Sequence, residues 1–285
     1  MPSWEPLPQL DDDGLPTAEI GSWGEDKYRL VSLYAALFVR SMRRKWEALV
    51  YLDLFSGPGR SRIRGTKRTV PASPLLVLGM PETFNKYIFC EKDEKNATAL
   101  ETRCHRDFPA RTITIIPGDA NLLTERIIAE MPRPRKGYKV LGFCFLDPFY
   151  MRNLSFEMIK ALLQRFMDFL VLIPSGMDAN RNEQNYVRPE NPTVDNFVGS
   201  NDWRGRWESA KRSGKSFENF VVEEFGRSMQ QLGYIDPGLK AAAPVRSDDR
   251  NLLLYRLALY SKNPLGNKFW KEARKYTNPQ TGFEF

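Results

Sequence analysis

Four carboxylates between positions 53 and 147 each close an apolar run. Asp53 follows Val50-Tyr51-Leu52, Glu91 follows Tyr87-Ile88-Phe89-Cys90, Asp119 follows Ile115-Ile116-Pro117-Gly118, and Asp147 follows Phe143-Cys144-Phe145-Leu146. Short apolar runs bounded by turn residues read as buried strands. In an open α/β sheet, ligands bind in the crevice beyond the carboxyl ends of the strands. The acids are therefore expected on one edge, facing a ligand with hydroxyl and amine donors. After the first run the chain enters Phe55-Ser56-Gly57-Pro58-Gly59, where two residues without a Cβ let backbone amides approach a ligand closely. An ordinary dinucleotide fits poorly. The third glycine of G-x-G-x-x-G is missing, Arg60 follows Gly59 directly, and Glu91 lies well beyond the roughly 20 residues expected after the glycines.

The elements that must position these acids alternate along the chain. Strand candidates at 86–91, 111–117, 139–147 and 168–174 are separated by helix candidates at 94–104, 121–131 and 155–166, which predicts a parallel sheet with right-handed crossovers. Ahead of the first strand, Leu30, Val31, Tyr34, Leu37 and Phe38 recur at helical spacing. Ser73-Pro74 before Leu75-Leu76-Val77-Leu78 reads as a capped helix start, leaving 60–72 as a basic loop. Residues 1–22, Pro-rich with Asp11-Asp12-Asp13, are expected to form an arm with little fold of its own. Residues 23–285 then form a single domain, interrupted at about 176–232 by a polar and helical insertion over the active edge. The last two strand candidates, 241–247 and 251–260, are spaced to pair as a hairpin around Ser247-Asp248-Asp249-Arg250. The fold class is α/β: a Rossmann-like, mostly parallel sheet with an antiparallel C-terminal hairpin strand, and helices on both faces.

Composition narrows the function classes. A 285-residue chain with 42% hydrophobic residues, six Trp and eighteen Phe can build a large core. No run of about 18 apolar residues suggests a membrane span, and the N-terminus lacks a basic-then-apolar signal, so the expected place is the cytoplasm. Cys90, Cys104 and Cys144 lack metal-knuckle spacing and read as buried small hydrophobes. His105, the sole histidine, sits with Arg103, Arg106 and Asp107 in what reads as a solvated helix end. No metal site is expected. A net charge of +7 favours polyanionic partners, with Arg40, Arg43, Arg44 and Lys45 before the first strand and Arg60, Arg62, Arg64, Lys67 and Arg68 after the glycine turn.

Asp53-Leu-Phe-Ser-Gly-Pro-Gly59, Ala72-Ser-Pro-Leu75, Glu91-Lys-Asp93, Gly118-Asp-Ala-Asn121 and Leu146-Asp-Pro-Phe149 together resemble the three-Cys-motif partner proteins, a branch of the class I S-adenosylmethionine-dependent methyltransferases. The resemblance runs over nearly the whole chain, including Tyr255–Trp270. It implies S-adenosylmethionine as cofactor and a separately encoded partner that carries the cysteines. It also implies a cofactor site of Asp53, Phe55, Gly57, Gly59, Glu91, Asp93, Asp119 and Ala120. In that site the glycine turn meets the methionine end, Asp53 its ammonium, Glu91 the ribose hydroxyls and Asp119 the adenine amine. Alternatives stay open: Asp53 as a structural acid holding the turn, Asp93 as the ribose ligand, Glu91 or Asp93 as the cap of the next helix, and Asp119 as a cap.

Asp147-Pro148-Phe149-Tyr150 resembles the Asp-Pro-Pro-Tyr motif of enzymes that methylate exocyclic amines of bases, which makes these four residues the expected catalytic centre. There the acid and a carbonyl accept from the amine and an aromatic ring stacks on the base. Phe149 departs from the pattern. The first expectation is a methyltransferase acting on nucleic acid, gripped by the arginines of 60–68. The alternative is a non-catalytic nucleic-acid-binding or adaptor protein working with the cysteine-containing partner. Methylation of a protein or small molecule is a third reading.

Overall fold

The computed structural model describes residues 7–247 and 251–275. In chain order the elements are β1 (Ala18–Ile20), α1 (Trp23–Met42), β2 (Ala48–Asp53), β3 (Arg60–Ile63), β4 (Thr69–Pro71), α2 (Ser73–Leu78), β5 (Lys86–Glu91), α3 (Glu94–Asp107), β6 (Ile113–Pro117), α4 (Thr124–Glu130) and β7 (Val140–Leu146). A short turn at Met151–Asn153 leads to α5 (Phe156–Leu162) and β8 (Phe166–Ile173). A π-helical turn at Ser175–Ala179 opens the insertion, α6 (Asn180–Tyr186), α7 (Thr193–Val198) and α8 (Trp203–Arg212), followed by α9 (Phe217–Gln231), β9 (Ala243–Arg246), β10 (Leu253–Tyr260) and α10 (Pro264–Arg274).

Seven strands form the main sheet in the order β6-β5-β2-β7-β8-β10-β9. The first five are parallel, and β10 is antiparallel to both β8 and β9. This is the expected Rossmann-like fold, with the strand order of a class I methyltransferase sheet. The expected terminal pairing is present. Asp248, Asp249 and Arg250, placed at its turn from sequence, lie outside the described residues. Every residue of β2 is buried, as a central parallel strand requires. Its side chains alternate between two cores: Val50 and Leu52 pack with α5, the inserted helices and α9, while Leu49 and Tyr51 pack with α1, α2 and α10. By the same alternation Asp53 follows Tyr51.

Three expectations are corrected. Residues 60–72 are not a loop: β3 and β4 pair antiparallel, and β1 joins β3 in parallel to make a second, three-stranded sheet. The segment before α1 is correspondingly ordered from Leu7 onward. Leu7 is buried, the Leu10 amide donates to the Thr69 carbonyl at 2.8 Å, and Asp13 bonds Arg103. Nor is Arg103 part of a solvated helix end. It is fully buried and satisfied, with Nε and Nη2 on the two Asp13 oxygens at 2.9 and 2.6 Å and Nη1 on the carbonyls of Pro16 and Pro58 at 2.8 and 2.5 Å. One guanidinium thus joins α3, the N-terminal segment and the glycine turn. That cation also holds the Asp13 carboxyl well below the usual carboxylate range.

The insertion is polar in sequence yet extends the core on one face of the sheet. Trp203 and Trp207 of α8 are buried against Phe217 and Phe220 of α9, with ring centroids 4.9–6.2 Å apart. Its root is fixed by backbone contact, since a Cβ placed on Gly176 would lie 1.9 Å from the Leu253 carbonyl oxygen at the start of β10.

Candidate active site

The glycine turn depends on positive backbone angles, φ +61° at Gly57 and +84° at Gly59, which only glycine adopts without strain. A Cβ on Gly57 would meet nothing within 4 Å, so the turn opens onto free space. The Gly57 amide donates to Glu91 Oε2 at 2.7 Å, and the Asp93 amide to Glu91 Oε1 at 2.8 Å. Glu91, rather than Asp53, is therefore the acid that braces the turn. Each of its oxygens keeps a lone pair for a further donor. Asp93 accepts from the Asn96 amide at 2.9 Å as the N-cap of α3, which matches the capping alternative for this residue.

Asp53 ends β2 fully buried. Tyr51 Oη donates to its Oδ2 at 3.4 Å, while Oδ1 has no hydrogen-bond partner among the described residues. Burial pushes its pKa up to about 7, against the opposing pull of the nearby Ser73 hydroxyl and Phe55 amide, neither of which bonds Oδ1. An orphaned buried carboxylate oxygen is costly unless something supplies a donor. Phe55 is half-buried at the edge of the core, and Ala120 is buried.

Asp119 is committed locally. Its Oδ1 accepts from the Asn121 amide and side chain at 3.0 and 2.9 Å, and its Oδ2 pairs with Lys92 at 2.9 Å. Burial opposes ionisation, but these bonds outweigh it and lower the carboxyl's pKa. Asn121 then braces two strand-end loops. Its Nδ2 donates to the Asn153 carbonyl at 2.8 Å, and its Oδ1 accepts from the Ser155 amide at 2.9 Å.

On the neighbouring strand end, Asp147 Oδ2 pairs with Lys27 Nζ at 2.6 Å, both side chains about 15% exposed. Burial works against the Lys27 charge, but Asp147 overcomes it and raises the ammonium's pKa. Lys27 stands 120 residues from Asp147 inside α1 and carries no motif of its own, so sequence reasoning missed it. Tyr255 of β10 was missed likewise. Its hydroxyl feels Lys27, Asp147 and Tyr150 electrostatically.

Pro148 is buried and Phe149 is 57% exposed. The Phe149 and Tyr150 rings meet edge-on at 4.6 Å, and the Arg152 guanidinium lies over Tyr150 at 4.5 Å. Phe149 is thus surface and not core. Asp178 anchors the backbone behind them, accepting from the Met151 amide and from Tyr186 Oη, both at 2.7 Å.

The basic segment after the glycines is mostly spent internally. Arg60 is buried, bonding the Asp11 carbonyl at 2.7 Å and Asp13 at 3.1 Å. Arg68 pairs with Glu25 at 2.8 Å, Arg64 with Glu19 at 2.8 Å and Arg62 with Asp12 at 3.7 Å. Lys67 is exposed. Four of these five cations thus pair with acids of the N-terminal segment and of α1, and Lys67 makes no ion pair among the described residues. Arg40 and Arg43, bonded to Glu82 and to the Thr83 carbonyl, lie thirteen or more residues along α1 from Lys27. That is about 20 Å from the site at 1.5 Å per residue, so these cations do not flank the active edge.

The three cysteines are buried. Burial pushes the Cys90 and Cys104 thiols up to about 12, and Cys144 well above its ordinary value. None is a ready nucleophile. Among the described residues, no group of three His, Cys, Asp or Glu side chains could hold a metal ion, and no helix is long and apolar enough to cross a membrane.

The raised Asp53 predicts a pH dependence of stability. Its folded pKa of about 7 lies above the ordinary 3.8. Stability is therefore full below about pH 4 and falls as pH rises towards 7, where the unfolded chain ionises and the folded one resists. Asp168, also pushed up to about 7 by burial, acts in the same direction. Asp53→Asn should flatten this decline by up to about 3 kcal/mol between pH 5 and pH 8, read from urea midpoints at those two values. An unchanged slope would mean that Asp53 is ionised in the fold.

The chain is structurally similar to several solved proteins, all at low identity. A protein from Legionella pneumophila is 12% identical with a TM-score of 0.48, over 90% of this chain and 94% of that one. An O-methyltransferase from Bacillus cereus, solved in complex with SAH, is 14% identical with a TM-score of 0.46, over 87% and 85%. Trm1 from Pyrococcus horikoshii, solved with S-adenosyl-L-methionine, is 12% identical with a TM-score of 0.46, over 92% and 64%. No protein-family model and no curated protein sequence matches the chain.

Proposed function

We propose that the chain is an S-adenosylmethionine-dependent methyltransferase whose acceptor is an exocyclic amine of a nucleobase. The observation that carries this reading is the orphaned Oδ1 of buried Asp53 beside a turn held open by Gly57. A site with an unmatched carboxylate oxygen, a turn free of side chains and a second acid on the next strand suits a ligand with an ammonium and hydroxyls. Asp53 would take the ammonium, Glu91 would accept from the ribose with its remaining lone pairs, and Gly57 would keep the backbone within reach. When bound, the cofactor supplies the electrophilic methyl group. Asp147 would accept from the acceptor amine through Oδ1 while Lys27 holds Oδ2, and the Phe149–Tyr150 pair would offer an aromatic surface to a base. Direct displacement needs mainly alignment of the two partners, so this positioning carries the rate.

The motif likeness to the three-Cys-motif partner family supports a cytoplasmic protein working with a cysteine-containing partner. A second reading rests on the Lys27–Asp147 pair: if Lys27 keeps Asp147 from the substrate, the chain is a binding or adaptor protein that retains the fold.

Calorimetric titration with S-adenosylmethionine tests the proposal. Wild-type protein should bind saturably, and Gly57→Arg and Glu91→Ala should each weaken binding at least tenfold, through blocking of the turn and loss of its brace. Affinity should also rise as pH increases through 7, because an ionised Asp53 accepts from the ammonium more strongly. Folded wild-type protein that fails to bind, even with a cysteine-containing partner added, would favour the adaptor.

A further inference from the structure

Beside the Asp147–Tyr150 loop, on the side of the inserted helices, lies a cavity of about 330 Å³, at the small end of the range for ligand sites. Tyr150, Arg152, Asn182, Asn185, Tyr186 and Asn191 are among its lining residues, and no Leu, Ile, Val or Met lines it. We propose that this cavity is the acceptor pocket and takes a nucleobase together with its phosphate, a proposal that rests on the methyltransferase reading above.

Three observations converge on that ligand class. The first is a flat wall: Tyr150 with the Arg152 guanidinium 4.5 Å over its ring. Aromatic and guanidinium planes are the usual surfaces on which unstacked bases lie.

The second is a fixed polarity. Asn182 Nδ2 donates to the Asp178 carbonyl and to its Oδ1, both at 3.0 Å, which leaves the Asn182 carbonyl oxygen to accept. Asn191 Oδ1 accepts from the Thr193 amide at 3.0 Å, which leaves the Asn191 amino group to donate. Asn185, exposed on the same helix as Asn182, makes no side-chain hydrogen bond among the described residues and can do either. Acceptor and donor on one wall match the edge of a base, which presents an amino group beside a ring nitrogen or carbonyl. An apolar acceptor would leave these amides unpaired.

The third is charge. Arg152, in the lining, makes no ion pair among the described residues, unlike Arg60, Arg62, Arg64 and Arg68. Arg152 is therefore the cation available to an anion in this cavity, and Asp178, the acid in the lining, is taken up by the Met151 amide, the Tyr186 hydroxyl and the Asn182 side chain.

A base within a nucleic acid and a free nucleotide share this chemistry, and titrations of the full chain separate them. AMP, CMP, GMP, UMP, adenosine and short single-stranded DNA and RNA are titrated with and without saturating S-adenosylhomocysteine. Nucleotides should bind, and adenosine should bind less tightly than AMP. Asn191→Leu and Asn185→Leu should weaken nucleotide binding roughly tenfold while leaving S-adenosylhomocysteine affinity unchanged. Asn185→Leu breaks no side-chain bond of the fold, so its effect cannot be assigned to misfolding. Arg152→Gln should weaken AMP and flatten the salt dependence, whereas Arg62→Gln/Arg64→Gln should retain wild-type binding. Oligonucleotides that bind more tightly than mononucleotides, with steep salt dependence, identify a base in nucleic acid; equal affinities identify a free nucleotide.

The pocket assignment is overturned if S-adenosylhomocysteine binds and no nucleotide or oligonucleotide does. It is equally overturned if binding survives both Asn variants or is lost only in Arg62→Gln/Arg64→Gln. Nucleotide binding without S-adenosylhomocysteine binding would sink the methyltransferase reading and leave the pocket standing.

Discussion

Replacing Asp147 by alanine is expected to lower methyl transfer a thousandfold or more while leaving S-adenosylmethionine affinity within about threefold. The asymmetry follows from position. Asp147 stands one strand over from Asp53, on the side of the Phe149–Tyr150 surface and the inserted helices, so in the proposed reaction it would serve the acceptor and not the cofactor. Alanine would also leave the Lys27 ammonium, only 14% exposed, without its partner, and an unpaired charge in such a place is destabilising. Two further variants separate the effects. Asp147→Asn keeps the shape but offers Lys27 no charge, and Lys27→Met/Asp147→Ala removes both. Loss of turnover in all three, with intact cofactor binding and unchanged melting in the double variant, would assign the defect to acceptor alignment. Turnover retained by Asp147→Asn at near wild-type rate would remove the carboxylate from the reaction.

The largest effect on stability is expected at Arg103. Arg103→Leu deletes bonds to both oxygens of Asp13 and to the carbonyls of Pro16 and Pro58. It leaves a mostly buried carboxylate with only Arg60 at 3.1 Å and Arg106 at 3.2 Å, and the two carbonyls without this donor, at a cost of about 3 kcal/mol, measurable as a lower urea midpoint. Because the guanidinium holds the Asp13 pKa low, the stabilisation is present above the unfolded carboxylate pKa near 4 and fades as pH falls below it. The difference between wild type and Arg103→Leu should therefore narrow in acid. Arg103→Lys should recover only part, since an ammonium cannot reproduce the two-pronged fit. A change under about 1 kcal/mol would show that the arrangement relaxes without loss.

Much of this architecture was legible in the residues. Apolar runs ending in Asp53, Glu91 and Asp147 became adjacent parallel strands, because a strand buried on both faces must be written as such a run. Ser73-Pro74 marked a helix that indeed starts at Ser73, with Ala72 in the cap position. What escaped reading depended on partners distant in sequence. Arg60-Ser-Arg-Ile63 looks like a basic loop until Ala18–Ile20 pairs with it. Arg103 looks like one more charge on a helix surface, since nothing local signals that Asp13, ninety residues earlier, folds over it. The same holds for Lys27 and Asp147. Glu91 was expected at the ribose, but its brace on the Gly57 amide was invisible because a hydrogen bond across neighbouring strands leaves no periodicity. Asn182 and Asn191 acquire their opposite polarities only from Asp178 and from the Thr193 amide.

The contact between Gly176 and the Leu253 carbonyl sets where the insertion can vary. Any side chain at position 176 must displace β10 at its first residue, two positions before Tyr255. The root of the inserted helices and the rim of the active edge are thus a single rigid joint. Saturation mutagenesis should show an intolerant point at 176 and a permissive exposed surface on α6 and α8. New acceptor preferences can then arise by changing residues such as Asn185 without moving the strand beneath them. The geometry assigns specificity and scaffold to different stretches of chain, and the glycine is the boundary between them.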